Sequence, residues 1–109
     1  MANPISVTYA AASSGAQTPI ALDWRIAPFL VSYDVIKTTG GGTLSVTIET
    51  TLDNVNDASI TPVWTALGSA LTATTRGSLT APVQFIRLNF GTLTGTTCTF
   101  KLLQSTLIN

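Results

Sequence analysis

Residues 28–51, PFLVSYDVIKTTGGGTLSVTIETT, constrain this chain more than any other stretch. Phe29, Val31, Tyr33 and Val35 alternate with Leu30, Ser32, Asp34 and Ile36. After Gly40-Gly41-Gly42, Leu44, Val46 and Ile48 alternate with Ser45, Thr47 and Glu49. Successive side chains of a strand point to opposite faces, so this period of two predicts two β-strands. The triple glycine between them predicts a turn that makes the pair a hairpin. The second strand has one apolar and one polar face. The first is apolar on both faces for much of its length and is expected to be the more central.

The same pattern recurs along the chain. Ile5, Val7 and Tyr9 form a first strand, and residues 10–17 (AAASSGAQ) read as a loop. A short strand over Thr18–Leu22 leads into Asp23-Trp24-Arg25. The Asp/Asn-rich run Asp53-Asn54-Val55-Asn56-Asp57 is a turn, because such side chains hydrogen-bond nearby backbone. Pro62–Leu67 is a short strand carrying Trp64, placed at a sheet edge by its proline. Residues 68–81 form the longest irregular stretch, a loop that is mobile or makes contacts. In Val83–Phe90, Ile86, Leu88 and Phe90 share one face; Val83, Phe85, Arg87 and Asn89 share the other. Gly91–Gly95 reads as a hairpin-like turn, and the last strand runs from Thr96 to Gln104 with Cys98, Phe100 and Leu102 inward. No stretch has a helical period. The expected fold is therefore all-β: one domain over residues 1–109, an antiparallel β-sandwich of six to eight strands, jelly-roll-like or a related barrel.

Composition agrees and narrows the function. Hydrophobic residues make up 45% of the 109-residue chain and charged residues only 9%, against a typical ~25% charged. The net charge is zero. A chain this size hides roughly 65% of its unfolded surface, and threonine, the most frequent residue, suits a pleated sheet. The five cations, Arg25, Lys37, Arg76, Arg87 and Lys101, form no cluster, which argues against nucleic acid as a partner. No apolar run approaches the ~20 residues of a membrane span. No charge precedes Asp23, so a basic secretory leader is not expected. The single Cys98 leaves no internal disulfide and fits cytoplasmic synthesis.

Catalytic chemistry has few candidates. Histidine is absent, and with it the commonest general base and metal ligand. Cys98 lies among apolar neighbours and reads as a packed thiol. Asp34 and Glu49 could in principle oppose each other across the hairpin as a glycosidase pair would, but with no supporting catalytic partner two solvated surface groups are the preferred reading. Residues 53–57 start like a calcium loop. However, Val55 replaces a ligand, Ala58 the glycine and Trp64 the terminal glutamate, so a hydrogen-bonded turn is preferred to a cation site. Gly40–Gly42 lacks the Lys-Ser/Thr of a phosphate loop. No catalytic residue, metal or cofactor is expected. For interactions the candidates are Trp24, Trp64 and Arg76. The tryptophans would serve as a stacking platform for sugars or bases, or as core or interface anchors; Arg76 belongs to the long loop. Arg87, a cation in an apolar strand, needs a partner such as Asp53 or Asp34, or a subunit interface.

With these residues in view, the chain resembles a family of small bacteriophage virion proteins of the capsid decoration (cement) or head-fibre type. The likeness lies in Pro28-Phe29 opening a long strand, Thr47-Ile48-Glu49-Thr50-Thr51-Leu52-Asp53 before Asp57, and the isolated Trp64. It continues in Pro82-Val83 leading to Ile86-Arg87-Leu88-Asn89, and in a strand finishing at Gln104. The resemblance implies a β-sandwich on the virion surface, made in the host cytoplasm. It would bind the outside of the major capsid protein shell and stabilise the head, often as a small homo-oligomer. Arg87 and Asn89 match the motif and are expected to be structural. The competing readings are another virion component, such as a tail or fibre base, and a carbohydrate-binding module that uses a solvent-facing tryptophan.

Overall fold

The computed structural model describes residues 5–25, 28–38 and 41–104. They form nine strands: β1 (Ile5–Tyr9), β2 (Gly15–Ala16), β3 (Ile20–Ala21), β4 (Val31–Lys37), β5 (Thr43–Thr51), β6 (Thr65–Ala66), β7 (Thr75–Leu79), β8 (Phe85–Thr94) and β9 (Cys98–Gln104). One sheet runs β1-β9-β4-β7 and the other β2-β8-β5-β6, with β3 also on β8. All the pairings are antiparallel. β2 and β3 act as a single strand interrupted at Pro19: the register against β8 slips by one residue between Ala16↔Asn89 and Ile20↔Ile86. A proline cannot donate to the ladder. With β2 and β3 counted as one, eight strands divide into two four-stranded sheets, and the chain changes sheet at every connection except β5 to β6, which is jelly-roll connectivity.

The inner faces follow the alternation. Val31, Val35, Phe100, Leu102 and Cys98 from the first sheet meet Leu44, Val46, Ile48, Ile86, Leu88 and Phe90 from the second, each at most 2% exposed. Burying such a side chain fully contributes roughly 1.5–3 kcal/mol, so these strands hold the sandwich together. Tyr9 reaches from β1 across to Phe90 on β8, with ring centroids 5.3 Å apart and edge to face.

The hairpin expected over 28–51 does not exist. β4 and β5 lie in different sheets, so the chain changes sheet between Thr38 and Gly41; Gly40 of the expected turn lies outside the described residues. The second expected hairpin is also a crossing. β8 continues through Gly91 to Thr94, with Gly91 as an extra residue opposite the Ser45/Val46 step, and β9 then joins the other sheet. The two crossings lie against each other. A Cβ on Gly42 would sit 2.5 Å from the Thr94 carbonyl oxygen and 2.6 Å from the Gly95 carbonyl carbon, so only glycine fits there. Gly95 itself has φ +68°, a conformation glycine adopts without Cβ strain. The Thr38 N–H donates to the Thr97 carbonyl at 3.0 Å, and the buried Thr96 hydroxyl donates to the Thr38 carbonyl at 2.8 Å.

Three further differences have clear causes. Residues 68–81 are not one loop, because Thr75–Leu79 is β7, paired along its whole length with β4. Its central Gly77 leaves a space that the Tyr33 ring fills from the neighbouring strand, so the apolar signal sits on the partner. The strand expected over Pro62–Leu67 shrinks to Thr65–Ala66, at the edge position expected from Pro62. The strand count rises to nine because three of the strands have only two residues.

Candidate functional site

The three interaction candidates fall on three separate surfaces. Trp64 lies over the outer face of the second sheet. There Glu49 and Arg87 are directly opposed on β5 and β8, and Arg87 Nε donates to Glu49 Oε1 at 2.8 Å. Asn89, two residues along the same face, donates from Nδ2 to Glu49 Oε2 at 3.3 Å. The Trp64 ring caps the pair with the Arg87 guanidinium carbon 3.9 Å from its centroid, well inside cation–π range. Arg87 therefore pairs with Glu49, not with Asp53 or Asp34. Adjacent alternating strands bring 49 and 87 to the same face, a placement the linear sequence does not show.

The chain bearing Trp64 is held there by its own turn. Asp53 Oδ2 accepts the Val63 N–H at 2.8 Å, Asn54 Oδ1 accepts the Asn56 N–H at 3.0 Å, and Asp57 Oδ1 accepts both the Ser59 N–H and hydroxyl. These bonds to Ser59 hold the Asp57 carboxyl below its ordinary pKa. The residues expected to form a hydrogen-bonded turn do so.

Arg76 sits on β7, not in a loop, and grips Asp34 of β4 through two parallel hydrogen bonds, Nε to Oδ1 at 2.6 Å and Nη2 to Oδ2 at 2.9 Å. Lys101 of β9 is level with Asp34 on the other side. The hydrogen bonds from Arg76 lower the Asp34 pKa, with smaller contributions from the Arg76 and Lys101 charges. Together with Ser32 and Leu103 these groups line an open trough of about 370 Å³ on the first sheet. Asp34 and Glu49 thus belong to different sheets, each neutralised by its own arginine, and cannot form the facing carboxylate pair a glycosidase needs.

Trp24 is 46% exposed at one end of the sandwich, with the Arg25 guanidinium 5.1 Å from its ring centroid. It lines a hollow with Leu52, Pro82, Val83 and Gln84. Leu52 also borders a second hollow with Val63 and Asp53. Leu52 is 69% and Val63 71% exposed, so Leu52 links two neighbouring hollows, one bearing Trp24 and the other bearing Val63 among Asp53 and threonines. Gln104 anchors the chain beside Trp24: Oε1 accepts the Asp23 N–H at 2.9 Å and Nε2 donates to the Asp23 carbonyl at 2.7 Å. Sequence reasoning missed Leu52 and Val63. Their only signal was two large apolar residues flanking an Asp/Asn turn.

Cys98 is fully buried, and burial pushes its thiol up to about 11, as expected of a packing residue. Among the described residues no group of three or more Cys, Asp or Glu side chains is placed to hold a metal ion, and no helix is long and apolar enough to cross a membrane. The described surface carries three features: an apolar end, a roofed ion pair and an open ion pair. No family model, curated protein or solved structure matches this chain.

Proposed function

We propose that this protein is a structural component of a bacteriophage virion, a capsid decoration or cement protein. It binds the outside of the major capsid protein shell and stabilises the head, working as a homo-oligomer without catalysis, cofactor, nucleic acid or membrane. The observation that carries this reading is the end where exposed Trp24, Leu52 and Val63 border two neighbouring hollows. It projects from a sandwich whose two arginine–carboxylate pairs are closed within the chain. A wet apolar patch on a rigid module marks a contact surface, and many copies on one shell turn weak single contacts into firm attachment. Jelly rolls are common in shell-forming proteins. That likeness is one of architecture, and the function rests on the surface.

The test is binding of purified protein to shells assembled from the major capsid protein alone, followed by cryo-electron microscopy. Ordered copies repeated over the exterior, lost with Leu52→Lys plus Val63→Lys, support the reading. Density confined to a tail or vertex of the native particle reassigns the protein to another virion part. The exposed ring of Trp24 favours one further reading, a carbohydrate-binding module. Binding to immobilised glycans that disappears in Trp24→Ala, together with no shell binding, would replace the capsid reading.

A further inference from the structure

Two sheets have four outer edges, and three of them are blunted. β7 carries Arg76, bound to Asp34, and the glycine at 77. β6 has only two residues. The β2–β3 edge is broken at Pro19. Short strands, prolines and charges are how proteins keep an edge from recruiting another strand. β1, five residues long, carries none of these within the strand, although Pro4 stands just ahead of it in the sequence. Ile5-Ser6-Val7-Thr8-Tyr9 is uncharged, free of proline and glycine, and paired in unbroken register with β9 on one side. Among the described residues no strand lies on its other side. Ile5, Val7 and Tyr9 stay only half-buried on the core side, although Tyr9 packs on Phe90.

We infer that β1 is a self-association edge, where a second copy of this chain adds its own β1 antiparallel and joins the two β1-β9-β4-β7 sheets into one. The occupant follows from the pattern. The five residues are palindromic in chemistry about Val7, so an antiparallel copy sets Ile5 of one chain opposite Tyr9 of the other. Ser6 falls opposite Thr8, and Val7 opposite Val7. Apolar meets apolar on the core face, hydroxyl meets hydroxyl on the outer face, and such cross-strand pairs stabilise a sheet. The contact is two-fold and closes on itself, giving a dimer and not a fibre. No charge opposes it within the strand, and two chains of zero net charge approach without long-range repulsion. The inference supplies the surface for the homo-oligomer in the proposed function and rests on that part of it alone, not on the capsid.

The test uses the two exposed outer-face positions, whose substitution leaves the core untouched; among the described residues the Thr8 hydroxyl bonds the Thr99 hydroxyl, at 3.1 Å. Sedimentation velocity over a concentration series should give twice the 11.4 kDa chain mass for the wild type. Ser6→Glu with Thr8→Glu opposes carboxylates twice across the two-fold and should weaken the dimer about tenfold or more. Ser6→Glu with Thr8→Lys opposes unlike charges in the same register and should recover the dimer, while the new carboxylate at 6 also sits beside Lys101. Melting curves check that both variants are folded. A single-chain mass at every wild-type concentration overturns both the edge and self-association of the free protein. A dimer indifferent to the double-Glu change, or not recovered by the Glu/Lys pair, overturns the edge alone and leaves self-association standing elsewhere.

Discussion

The two arginine–carboxylate pairs, one on each sheet, are the same chemistry in opposite settings. In each, the partners are directly opposed on neighbouring strands. Asp34–Arg76 has the better geometry, with two parallel hydrogen bonds, yet its arginine side chain is 80% exposed. Glu49–Arg87 has a single arginine bond, but its side chains are only 17% and 20% exposed and Trp64 lies on top. Exposed ion pairs contribute little because water and salt screen them. A sheltered pair is expensive to break, since removing one partner strands the other charge. Cover, not hydrogen-bond count, decides which pair matters for the fold.

Breaking the sheltered pair should therefore have the largest effect. Arg87→Ala leaves the largely buried Glu49 with Asn89 as its one side-chain donor among the described residues, and should cost about 2–3 kcal/mol, between the values for exposed and fully buried pairs. That corresponds to a fall of roughly 10 °C or more in melting temperature for a domain of this size. An unchanged melt would remove Arg87 from its structural role. Next comes the roof. Trp64→Ala should cost about 1–2 kcal/mol through lost cation–π and apolar contact, and Trp64→Phe clearly less. A double-mutant cycle with Arg87→Ala should return a coupling of about 1 kcal/mol; strict additivity would mean that ring and guanidinium do not interact.

On the open pair, Arg76→Ala should leave the melting temperature within error, and a drop comparable to that of Arg87→Ala would overturn the comparison. The smallest effect is the pH dependence. The Asp34 pKa is lowered in the fold, so its contribution is fully present above the unfolded carboxylate value. It fades as pH falls through the lower folded value. Carboxyl carbon NMR should show Asp34 titrating below an ordinary aspartate, and moving back up in Arg76→Ala or in high salt. An unmoved titration would show that Arg76 does not set it.

The strands were legible wherever alternation was carried by the strand's own side chains, as in β1, β4, β5, β8 and β9. β7 was not, because Tyr33 supplies the bulk that Gly77 lacks. The paired crossings were also hidden. A glycine-rich turn looks the same in sequence whether it returns the chain to its own sheet or carries it to the other. Of the candidate surfaces, Trp64 and Arg87 were both singled out, but their stacking and the identity of Glu49 as partner were not. Contacts between residues 15 to 38 positions apart depend on which strands are neighbours.

The period of two and the scarcity of charge were enough to read an all-β, antiparallel fold off the chain, as a sandwich or a related barrel, because alternating strands must pack sheet against sheet to bury their apolar faces. Which strands pair is a property of the folded molecule, and with it come the jelly-roll order, the roofed ion pair and the β1 edge that has no neighbouring strand among the described residues. Alternation tells a residue which face it occupies, whereas strand order is settled by the joint packing of both sheets and by the close approach of Gly42 to Gly95.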